Sequence, residues 1–385
     1  MQIDARSDFL RIRPHGGRDE HLDFHWFWLR HNCDCCRHPQ TNERTLCSSS
    51  VPLDLRPSRV TASAGGDAVE IEWVEDGGHR SSYPLAWLER HAYARGHDAV
   101  APPPGDAAVL ERRLASPAEV ERLREVCLAP LAALGAVVVR GAGDDTERLI
   151  DALAGEGLEL VGSHFGRIED LRTDNTTNRN NDQLGYTDAP VDLHTDQAFI
   201  AHPPRYQMLH CMRPADDGGD NALADARAAA AYLRATDAEA YELLTTVPVR
   251  FHRVQRAFES IHVAPILELR DGAFFRVRSS YFTMAPHHLP FARMEAWYRA
   301  YNRFTALVSD PRHHFHVRLG AGDFVLYDNF RMLHARTGFT GARWMRGVYF
   351  DDAASRAART AAAAPVTTPA AERTPAPSGS GSASR

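Results

Sequence analysis

The sequence has few cysteines, no long apolar run and no surplus of positive charge. Six cysteines in 385 residues are too few for a disulfide framework. No window of eighteen apolar residues occurs, and the opening stretch MQIDARSDFLRIRPHGG lacks the apolar core of a signal peptide. Lysine and arginine total 44 against 50 acidic residues, a net charge of −6, which argues against nucleic acid or an anionic membrane as the main partner. These absences predict a soluble, cytoplasmic protein.

Changes in composition divide the chain into four parts. Residues 1–95 contain short runs of alternating apolar and polar residues, such as AVEIEWV, which predict a small β-rich N-terminal domain. Residues 96–110 include three consecutive prolines and predict an extended linker. Residues 111–352 show many strand patterns without a regular β-α rhythm, which predicts a mainly β sandwich or jelly roll with helical decoration. Residues 353–385 have almost no large apolar side chain and predict a disordered tail.

Local patterns place individual elements in the second part. Ser116, Pro117 and Glu119 form a helix start signal, Gly135 ends that helix, and a buried strand follows at 136–140. Further helices are predicted over 145–155, 223–247 and 291–308. Strands are predicted over 205–211, 249–254, 263–270, 273–278, 314–319, 323–328 and 346–351, and over FHWFWLR (24–30) in the N-terminal part.

Histidine is abundant, with 20 residues, and one His-x-Asp pair has a distant companion. His194 and Asp196 are two residues apart, so at a strand end both side chains project to the same side. One such pair is a weak signal, because His21 and Asp23 form another and a surface pair without metal is the commoner outcome. His334 follows about 138 residues after the first pair, in LYDNFRMLH. Two histidines and one carboxylate are the ligand set of non-haem Fe(II) oxygenases, which keep other coordination positions open.

Two long segments resemble a known family: LHTDQAFIAHPPRYQMLHCMRPADDGGDNALADARAAAAYL and VRLGAGDFVLYDNFRMLHARTGFTGARWMRGVYFDD. They closely resemble the gamma-butyrobetaine and trimethyllysine dioxygenases of the taurine dioxygenase clan, and the likeness extends over residues 110–352. The resemblance implies a double-stranded β-helix (jelly roll) oxygenase domain. It also implies Fe(II) bound by His194, Asp196 and His334, with 2-oxoglutarate as cosubstrate and O₂ as oxidant.

The resemblance further implies a site for the distal carboxylate of 2-oxoglutarate. A buried carboxylate needs a partner, and arginine offers a permanent charge with a planar fork of donors. Arg343, on the strand after His334, matches that arginine, and Arg346 is the fallback. Asn221, just after two glycines, matches a small polar residue beside the cosubstrate. Taken alone, Arg343 could equally form a surface ion pair.

The segment FHWFWLRHNCDCCRHPQTNERTL resembles the small domain that precedes the oxygenase domain in the same family. There, three cysteines and one histidine hold a structural zinc, which carries over to Cys33, Cys35, Cys36 and His79. The family's C-x-C-x-x-C is shortened here, so Cys35 and Cys36 are adjacent and could reach one zinc only through a tight turn. Cys47 could substitute for one of them, or the thiols could stay reduced without metal.

Family members that act on trimethylammonium substrates enclose the cation in aromatic rings. Tyr186 and Tyr349 match two of these positions, and Phe165 lies where another aromatic residue would stand. Glu169 and Gln197 occupy positions that are aromatic in relatives. They could pair with a primary amine, or they could be ordinary polar loop residues.

A strand that lines the substrate side in relatives corresponds here to RVRSSYF, with Arg278, Ser280 and Tyr281. Arg278 could hold a substrate carboxylate, although an arginine at a strand end more often meets solvent.

These patterns predict an Fe(II)- and 2-oxoglutarate-dependent dioxygenase that hydroxylates an unactivated C–H bond of a small amino-acid-like or betaine-like molecule. One alternative is hydroxylation of gamma-butyrobetaine or trimethyllysine in carnitine biosynthesis, which the incomplete aromatic cage disfavours. A non-catalytic metal-binding module is the alternative from another class, and the acidic charge balance disfavours a nucleic-acid demethylase. Because relatives are dimeric, the resemblance also implies a homodimer.

Overall fold

The computed structural model describes residues 2–13, 21–74, 78–92, 109–114, 116–173 and 182–363. Its strands are β1 Gln2–Ala5, β2 Phe9–Arg13, β3 Leu22–His25, β4 Pro57–Ala62, β5 Ala68–Trp73, β6 Arg80–Pro84, β7 Leu110–Arg113, β8 Ala136–Arg140, β9 Glu159–Val161, β10 Glu169–Arg172, β11 Val191–His194, β12 Tyr206–Arg213, β13 Asp217–Gly218, β14 Asn221–Asp225, β15 Val249–Gln255, β16 Phe258–Ala264, β17 Leu267–Arg270, β18 Ala273–Val277, β19 His314–Val317, β20 Phe324–Asp328, β21 Met332–Arg336, β22 Phe339–Thr340 and β23 Trp344–Asp351.

The α-helices in the described residues are α1 Trp26–His31, α2 Leu85–Arg90, α3 Leu123–Leu134, α4 Thr146–Leu153, α5 Ala226–Thr236, α6 Ala238–Thr246, α7 Phe291–Ser309 and α8 Ala353–Ala363. Short 3₁₀ turns lie at Asp34–Cys36, Ser48–Ser50, Pro117–Arg122, Leu184–Tyr186 and Pro311–His313. Strands thus outnumber helices in this part of the chain.

Two sheets form the frame of the second part. The larger runs in the order β10-β23-β12-β20-β8-β7, with β9 also paired to β23, and the smaller runs β11-β21-β14-β19. Their pairs are antiparallel apart from β7 and β8. Side chains from both sheets, including Val138, Leu209 and Leu223, pack in one apolar cluster between them. Two sheets packed through a shared apolar layer, with helices outside, confirm the predicted mainly β fold with helical decoration.

Strand β8 has an uninterrupted apolar sequence, and its position in the fold explains why. Val137 and Val139 pack against the helices α3 and α4 on the outer face of the larger sheet. Ala136 and Val138 point to the cluster between the two sheets. A strand covered on both faces has no side that needs polar residues, so it carries no alternation.

The N-terminal part is built on two three-stranded sheets, β1-β2-β3 and β4-β5-β6. Its apolar side chains belong to the same hydrophobic cluster as those of α5, α6 and α7. Phe9 packs edge-on against Phe291 with ring centroids 5.8 Å apart, and the Nδ1 atom of His31 lies 2.8 Å from the hydroxyl of Tyr298. The N-terminal part therefore packs directly on helix α7.

Several predicted elements have different bounds. The segment 24–30 is not one strand, because β3 ends at His25 and α1 begins at Trp26 with all its side chains buried. A short apolar run buried on all sides cannot be assigned to strand or helix from periodicity. The predicted helix 223–247 divides into β14, α5 and α6, since the carboxylates of Asp225 and Asp237 each cap a new helix.

Two further boundaries differ from the prediction. The helix signalled at Ser116 begins as a 3₁₀ turn and becomes α-helical only at Leu123, and the Ser116 side chain forms no cap. It ends at Gly135, as predicted, with a φ of 86°. The predicted strand 263–270 is interrupted, because β16 ends before a break that separates it from β17.

The expectation of disorder from residue 353 is wrong for the first eleven residues, which form α8. The carboxylate of Asp352 accepts a hydrogen bond from the amide of Ser355 at the start of this helix, and Arg359 pairs with the buried Asp351 at 2.7 Å. These polar contacts supply what the segment lacks in apolar side chains. Residues 364–385 of the predicted tail, and 96–108 of the predicted linker, lie outside the described residues. Among the described residues, no helix has both the length and the hydrophobicity to cross a membrane.

Candidate active site

Three candidate iron ligands meet where β11 and β21 pair. His194 ends β11 and stands directly opposite His334 of β21, with ring centroids 4.1 Å apart. The Oδ1 atom of Asp196 lies 3.4 Å from Nε2 of His194 and 3.7 Å from Nε2 of His334. One ligand atom from each residue falls within 4.8 Å of the other two. The structure thus brings together the three residues that the sequence spacing had singled out.

Neighbouring groups orient these ligands. The Nδ1 atom of His194 donates to the carbonyl oxygen of Asp192 at 2.8 Å, which leaves the lone pair on Nε2 free for a metal. The side chain of Asn329 accepts from the amide of Asp196 at 2.8 Å and donates to its carbonyl at 3.1 Å. The hydroxyl of Tyr349 donates to Oδ2 of Asp196 at 2.7 Å. The carboxylate is therefore held with Oδ1 toward the two imidazoles.

Two of the candidate ligands, His334 and Asp196, also have the protonation states that a metal requires. Burial, followed by the charge of His194, lowers the pKa of His334 to about 3, so this imidazole is neutral. Burial alone would raise the pKa of Asp196, but its hydrogen bond with His194 and the nearby His334 hold that pKa below its usual range. Neutral imidazoles and an ionised carboxylate are the forms that coordinate Fe(II). The donor set therefore fits the iron that the family implies.

A cavity of about 110 Å³ opens beside the three ligands. The predicted site residues that line it are Phe165, Glu169, His194, Asp196, Gln197, Asn221, His334, Arg343 and Tyr349. Lining residues that the sequence did not single out include Glu43, Gln183, Gln207, Arg253, Phe282 and Arg336. Phe282 lies edge-on to the ring of His194, at a centroid distance of 5.0 Å.

We call the side of the cavity with Arg343 and Asn221 the arginine wall. Arg343 is only 7% exposed, and no described carboxylate forms an ion pair with its guanidinium. Burial lowers its pKa to about 10, so it stays charged at neutral pH. A buried cation that faces a cavity without an anionic partner fits the distal carboxylate of 2-oxoglutarate.

The fallback Arg346 has a different place. It lies on β23, and its Nε and Nη1 atoms donate to Asp170 and Thr146, both at 3.1 Å. It is absent from the residues that line the cavity. Arg343 lies three positions earlier, just before β23 begins at Trp344, and of the two arginines only Arg343 lines the cavity.

The glycines before Asn221 allow a close backbone approach, as expected. Gly218 has a φ of 68°, and a Cβ atom there would lie 2.1 Å from the carbonyl oxygen of Gly338. Only glycine meets both conditions, so the short pairing of β13 with β22 beside the arginine wall depends on it.

We call the opposite side of the cavity the acidic wall, formed by Glu43, Arg253, Gln183 and Glu169. The buried carboxylate of Glu43 pairs with Nη1 of Arg253, whose Nη2 donates to Oε1 of Gln183 at 3.2 Å. The Nε2 atom of Gln183 donates in turn to Oε1 of Glu169 at 2.6 Å. A polar chain thus runs from the N-terminal part to the neighbourhood of the metal ligands.

Glu169 is the member of this wall nearest the candidate iron site. Burial, followed by the negative charge of Asp196, raises the pKa of Glu169 to about 8. The hydroxyl of Tyr186 donates to Glu169 at 2.9 Å, and Tyr186 itself does not line the cavity. Of the three predicted cage aromatics, only Phe165 and Tyr349 therefore face the ligand space.

The structure contradicts the interpretation of Arg278 as a substrate-binding residue. Its side chain is 1% exposed, pairs with Glu268, and donates to the carbonyls of Ile200 and Ala201, both at 2.7 Å. Arg278 does not line the cavity, because β18 ends at Val277 and the guanidinium turns toward the loop after Gln197. Of its predicted companions, Tyr281 accepts a hydrogen bond from the amide of Asp192 at 3.1 Å.

Ser280, the remaining residue of that segment, lies in a turn. Its hydroxyl accepts a hydrogen bond from Thr283 at 2.8 Å. It is also absent from the cavity lining, so the segment contributes Phe282 in place of the residues that were expected.

A second cluster of metal-ligand side chains lies in the N-terminal part. The Sγ atoms of Cys33, Cys35 and Cys36 lie 3.6, 3.3 and 3.7 Å from Nε2 of His79. The tight turn needed for adjacent cysteines to converge is the 3₁₀ turn that contains them. Four such atoms within 4.8 Å of one another fit a closed tetrahedral zinc site.

Two further contacts concern cysteines in or near this cluster. The guanidinium of Arg30 donates to Sγ of Cys36 at 3.0 Å, while the neighbouring Cys33 thiol and burial hold the pKa of Cys36 above its usual value. Cys47 lies apart, with its Sγ atom 3.2 Å from the hydroxyl of Ser49, and is outside the cluster. The alternative in which Cys47 replaces a ligand is therefore wrong.

Comparison with known proteins places the chain in a family. A family model described as taurine catabolism dioxygenase TauD, TfdA family matches residues 100–349. This chain belongs to that family. A model described as gamma-butyrobetaine hydroxylase-like, N-terminal, matches residues 2–89. The predicted resemblance to the gamma-butyrobetaine and trimethyllysine dioxygenases is confirmed.

Individual relatives of this TauD/TfdA member agree. It is 31% identical over 353 residues to a gamma-butyrobetaine dioxygenase of Pseudomonas sp. (strain AK-1), covering 85% of this chain and 87% of the relative. It is 29% identical over 385 residues to a trimethyllysine dioxygenase of Meyerozyma guilliermondii, covering 91% and 93%. A solved structure of the non-heme iron oxygenase OrfP with Fe and alpha-ketoglutaric acid aligns with a TM-score of 0.47 and 17% identity, over 66% of this chain and 96% of that one.

Membership confirms the predicted class of enzyme, an oxidoreductase of the iron- and 2-oxoglutarate-dependent dioxygenase type that acts on a small molecule.

Proposed function

We propose that His194, Asp196 and His334 hold Fe(II), and that Arg343 and Asn221 hold 2-oxoglutarate, for hydroxylation of an unactivated C–H bond in a small amino-acid-like or betaine-like molecule. The observation that carries the proposal is the shared cavity. It contains the three metal-ligand side chains and, on one wall, a buried guanidinium without a described carboxylate partner. Such a cation needs an anion, and a dicarboxylate with one end near the metal supplies it.

The residues of the chain position and isolate these groups. Bound iron with 2-oxoglutarate supplies the oxidising chemistry, in which O₂ oxidises the cosubstrate to succinate and CO₂ and hydroxylates the substrate. Tyr349 and Asn329 hold the carboxylate of Asp196, and Asp192 holds the ring of His194. Phe282, packed against His194, shields the metal side of the cavity from water.

Spectroscopy and turnover test this proposal. Anaerobic addition of Fe(II) and 2-oxoglutarate to the full chain is expected to produce the visible charge-transfer absorption of a chelated cosubstrate. Exposure to O₂ with a panel of amino acids and betaines is expected to produce succinate. A non-catalytic metal-binding module would show neither, even with iron restored.

Hydroxylation of gamma-butyrobetaine or trimethyllysine is the second candidate. The 31% identity to a gamma-butyrobetaine dioxygenase and the four aromatic side chains that line the cavity, Phe165, Phe199, Phe282 and Tyr349, favour it. Substrate-dependent succinate formation with these two compounds, measured beside their unmethylated analogues, separates the candidates.

We also propose that Cys33, Cys35, Cys36 and His79 hold a structural zinc. The convergence of three sulfurs and one nitrogen supports it. Cys35→Ser is expected to lose zinc, measured by mass spectrometry, and to lower the melting temperature while iron binding persists. Cys47→Ser, the matched control, is expected to keep the metal. Equal zinc content in both variants would contradict the assignment.

Finally, we propose a cytoplasmic homodimer. All six cysteines are free of disulfides, which suits a reducing compartment. Val254, Ile261 and Val263 are exposed on the hairpin β15–β16 and form a candidate contact surface. Sedimentation of the protein and of a Val263→Asp variant tests the dimer.

A further inference from the structure

The acidic wall holds a carboxylate that lacks a cation. Among the described residues, Glu169 accepts hydrogen bonds from Gln183, Tyr186 and Tyr349, which are all neutral. The hydroxyl of Tyr349 lies 2.7 Å from Asp196 but 3.4 Å from Oε2 of Glu169. Because one hydroxyl hydrogen cannot serve both carboxylates, the shorter bond takes it and Oε2 of Glu169 keeps its capacity to accept.

Glu169 is the carboxyl group of this wall that has no positive partner among the described residues, whereas Glu43 and Arg253 neutralise each other in a buried pair. A buried carboxylate without a cation is costly to ionise, as its raised pKa reflects. A cationic group that enters the cavity would stabilise the ionised form of Glu169.

Gln197 offers a second unused group. It is 7% exposed, lines the cavity, and its Nε2 atom has no hydrogen-bond partner among the described residues. Its φ of 56° is unusual for a residue with a side chain and is the kind of strained conformation found at binding sites. A buried amide N–H without a partner favours an acceptor oxygen on the ligand.

We infer that the substrate carries a protonated primary amine, which donates to Glu169, and an acceptor oxygen, which takes the amide hydrogen of Gln197. This inference rests on the proposed function and specifies its substrate class as an unmethylated amino acid. A trimethylammonium group has no N–H to give Glu169, although four aromatic side chains, Phe165, Phe199, Phe282 and Tyr349, line the cavity.

Matched ligands test the inference by binding, without turnover. The probes are 4-aminobutyrate and gamma-butyrobetaine, which differ only in the methylation of the amine, titrated by calorimetry into the anaerobic protein with Fe(II) and 2-oxoglutarate. The primary amine is expected to bind at least about tenfold more tightly, the scale of one hydrogen bond to a charged group. Equal or tighter binding of gamma-butyrobetaine, or no measurable binding of 4-aminobutyrate, would overturn the inference.

Single substitutions test whether Glu169 is the residue that recognises the amine. Glu169→Gln keeps the shape of the side chain and is expected to remove the preference for primary amines while 2-oxoglutarate binding stays intact. Asp170→Asn, on the same strand but paired with Arg346 outside the cavity, is the matched control and is expected to keep the preference. A preference that survives in Glu169→Gln assigns amine recognition elsewhere and refutes the role of Glu169.

One more ligand tests Gln197. Butylamine has the amine of 4-aminobutyrate without its carboxylate, and it is expected to bind about tenfold more weakly. Equal binding of the two would refute the role of Gln197. Failure of the proposed function is a separate result, because it would appear as the absence of the charge-transfer absorption before any amine is added.

Discussion

The two walls of the cavity differ in the sign of the buried group that has no partner of opposite charge. On the arginine wall, Arg343 is left without a described anionic partner, so its charge is available to a ligand. On the acidic wall, Arg253 is already paired with Glu43, and Glu169 is left without a described cationic partner. A buried cation without an anion fits a dicarboxylate cosubstrate shared across a family, while a buried carboxyl group without a cation fits a cationic substrate particular to this chain.

The walls also differ in their origin. Asn221 lies on β14 of the sheet that carries His194 and His334, and Arg343 lies just before β23 of the larger sheet. Glu43 comes from the N-terminal part, 210 residues from Arg253 in the sequence. The arginine wall is thus positioned by the oxygenase frame itself, whereas the acidic wall depends on the docking of the N-terminal part.

The largest effect is expected at Asp196, a candidate metal ligand that lines the cavity together with both walls. Asp196→Ala removes one of three ligands and is expected to lower iron affinity by more than about 100-fold, because even the partners of ligands are worth about 10- to 100-fold. Iron content and succinate formation measure this. His21→Ala, in the other His-x-Asp pair, is the control and should bind iron normally. Full activity in Asp196→Ala would exclude this residue as a ligand.

Next in size is the loss of the buried pair on the acidic wall. Glu43→Ala leaves Arg253 buried without a counter-charge and is expected to lower the free energy of unfolding by about 3–5 kcal/mol. Urea unfolding measures the loss, and Glu43→Gln should lose less because the amide oxygen still accepts. Binding of 2-oxoglutarate should stay within about twofold of the original. A selective loss of cosubstrate binding would show that the walls are not independent.

The arginine wall is tested by Arg343→Ala. Removal of the guanidinium is expected to lower 2-oxoglutarate affinity by about 10- to 100-fold, since hydrogen bonds to charged groups are worth about 1.5–3 kcal/mol each. Titration of the charge-transfer absorption measures it. Arg346→Ala is the matched control and should leave this affinity unchanged, since Arg346 is bound to Asp170 outside the cavity. Equal losses in both variants would refute the separation of the two arginines.

The smallest effect is expected at Tyr349, which contacts both Asp196 and Glu169. Tyr349→Phe keeps the ring and removes only the hydroxyl, so iron affinity is expected to fall by about tenfold. Metal titration with competing chelators measures it. Tyr83→Phe, far from the cavity in the N-terminal part, provides a control for the loss of a buried hydroxyl. Unchanged iron affinity in Tyr349→Phe would show that Asn329 suffices to hold Asp196.

Much of the candidate site could be predicted because its signals are local. His194 and Asp196 are two residues apart at a strand end, and Arg343 was preferred to Arg346 because it matches the pattern of the family that the sequence resembles. The cluster of three cysteines and His79 was harder to predict from the sequence. Adjacent cysteines converge only through a 3₁₀ turn, which their spacing does not indicate. Arg278 was misjudged because its end-of-strand position does not reveal which carbonyls its guanidinium will meet.

The sequence by itself determined the chemistry of the metal site, since residue type and spacing on strands decide which side chains can act together as ligands. The resemblance to a family also singled out Arg343, which lines the cavity. Only the tertiary structure revealed the acidic wall, because Glu43, Arg253 and Glu169 share no sequence motif. They come together only because the fold buries them beside one cavity. Whether a carboxylate is an ordinary surface group or an unbalanced charge in a cavity depends on what the rest of the chain places around it.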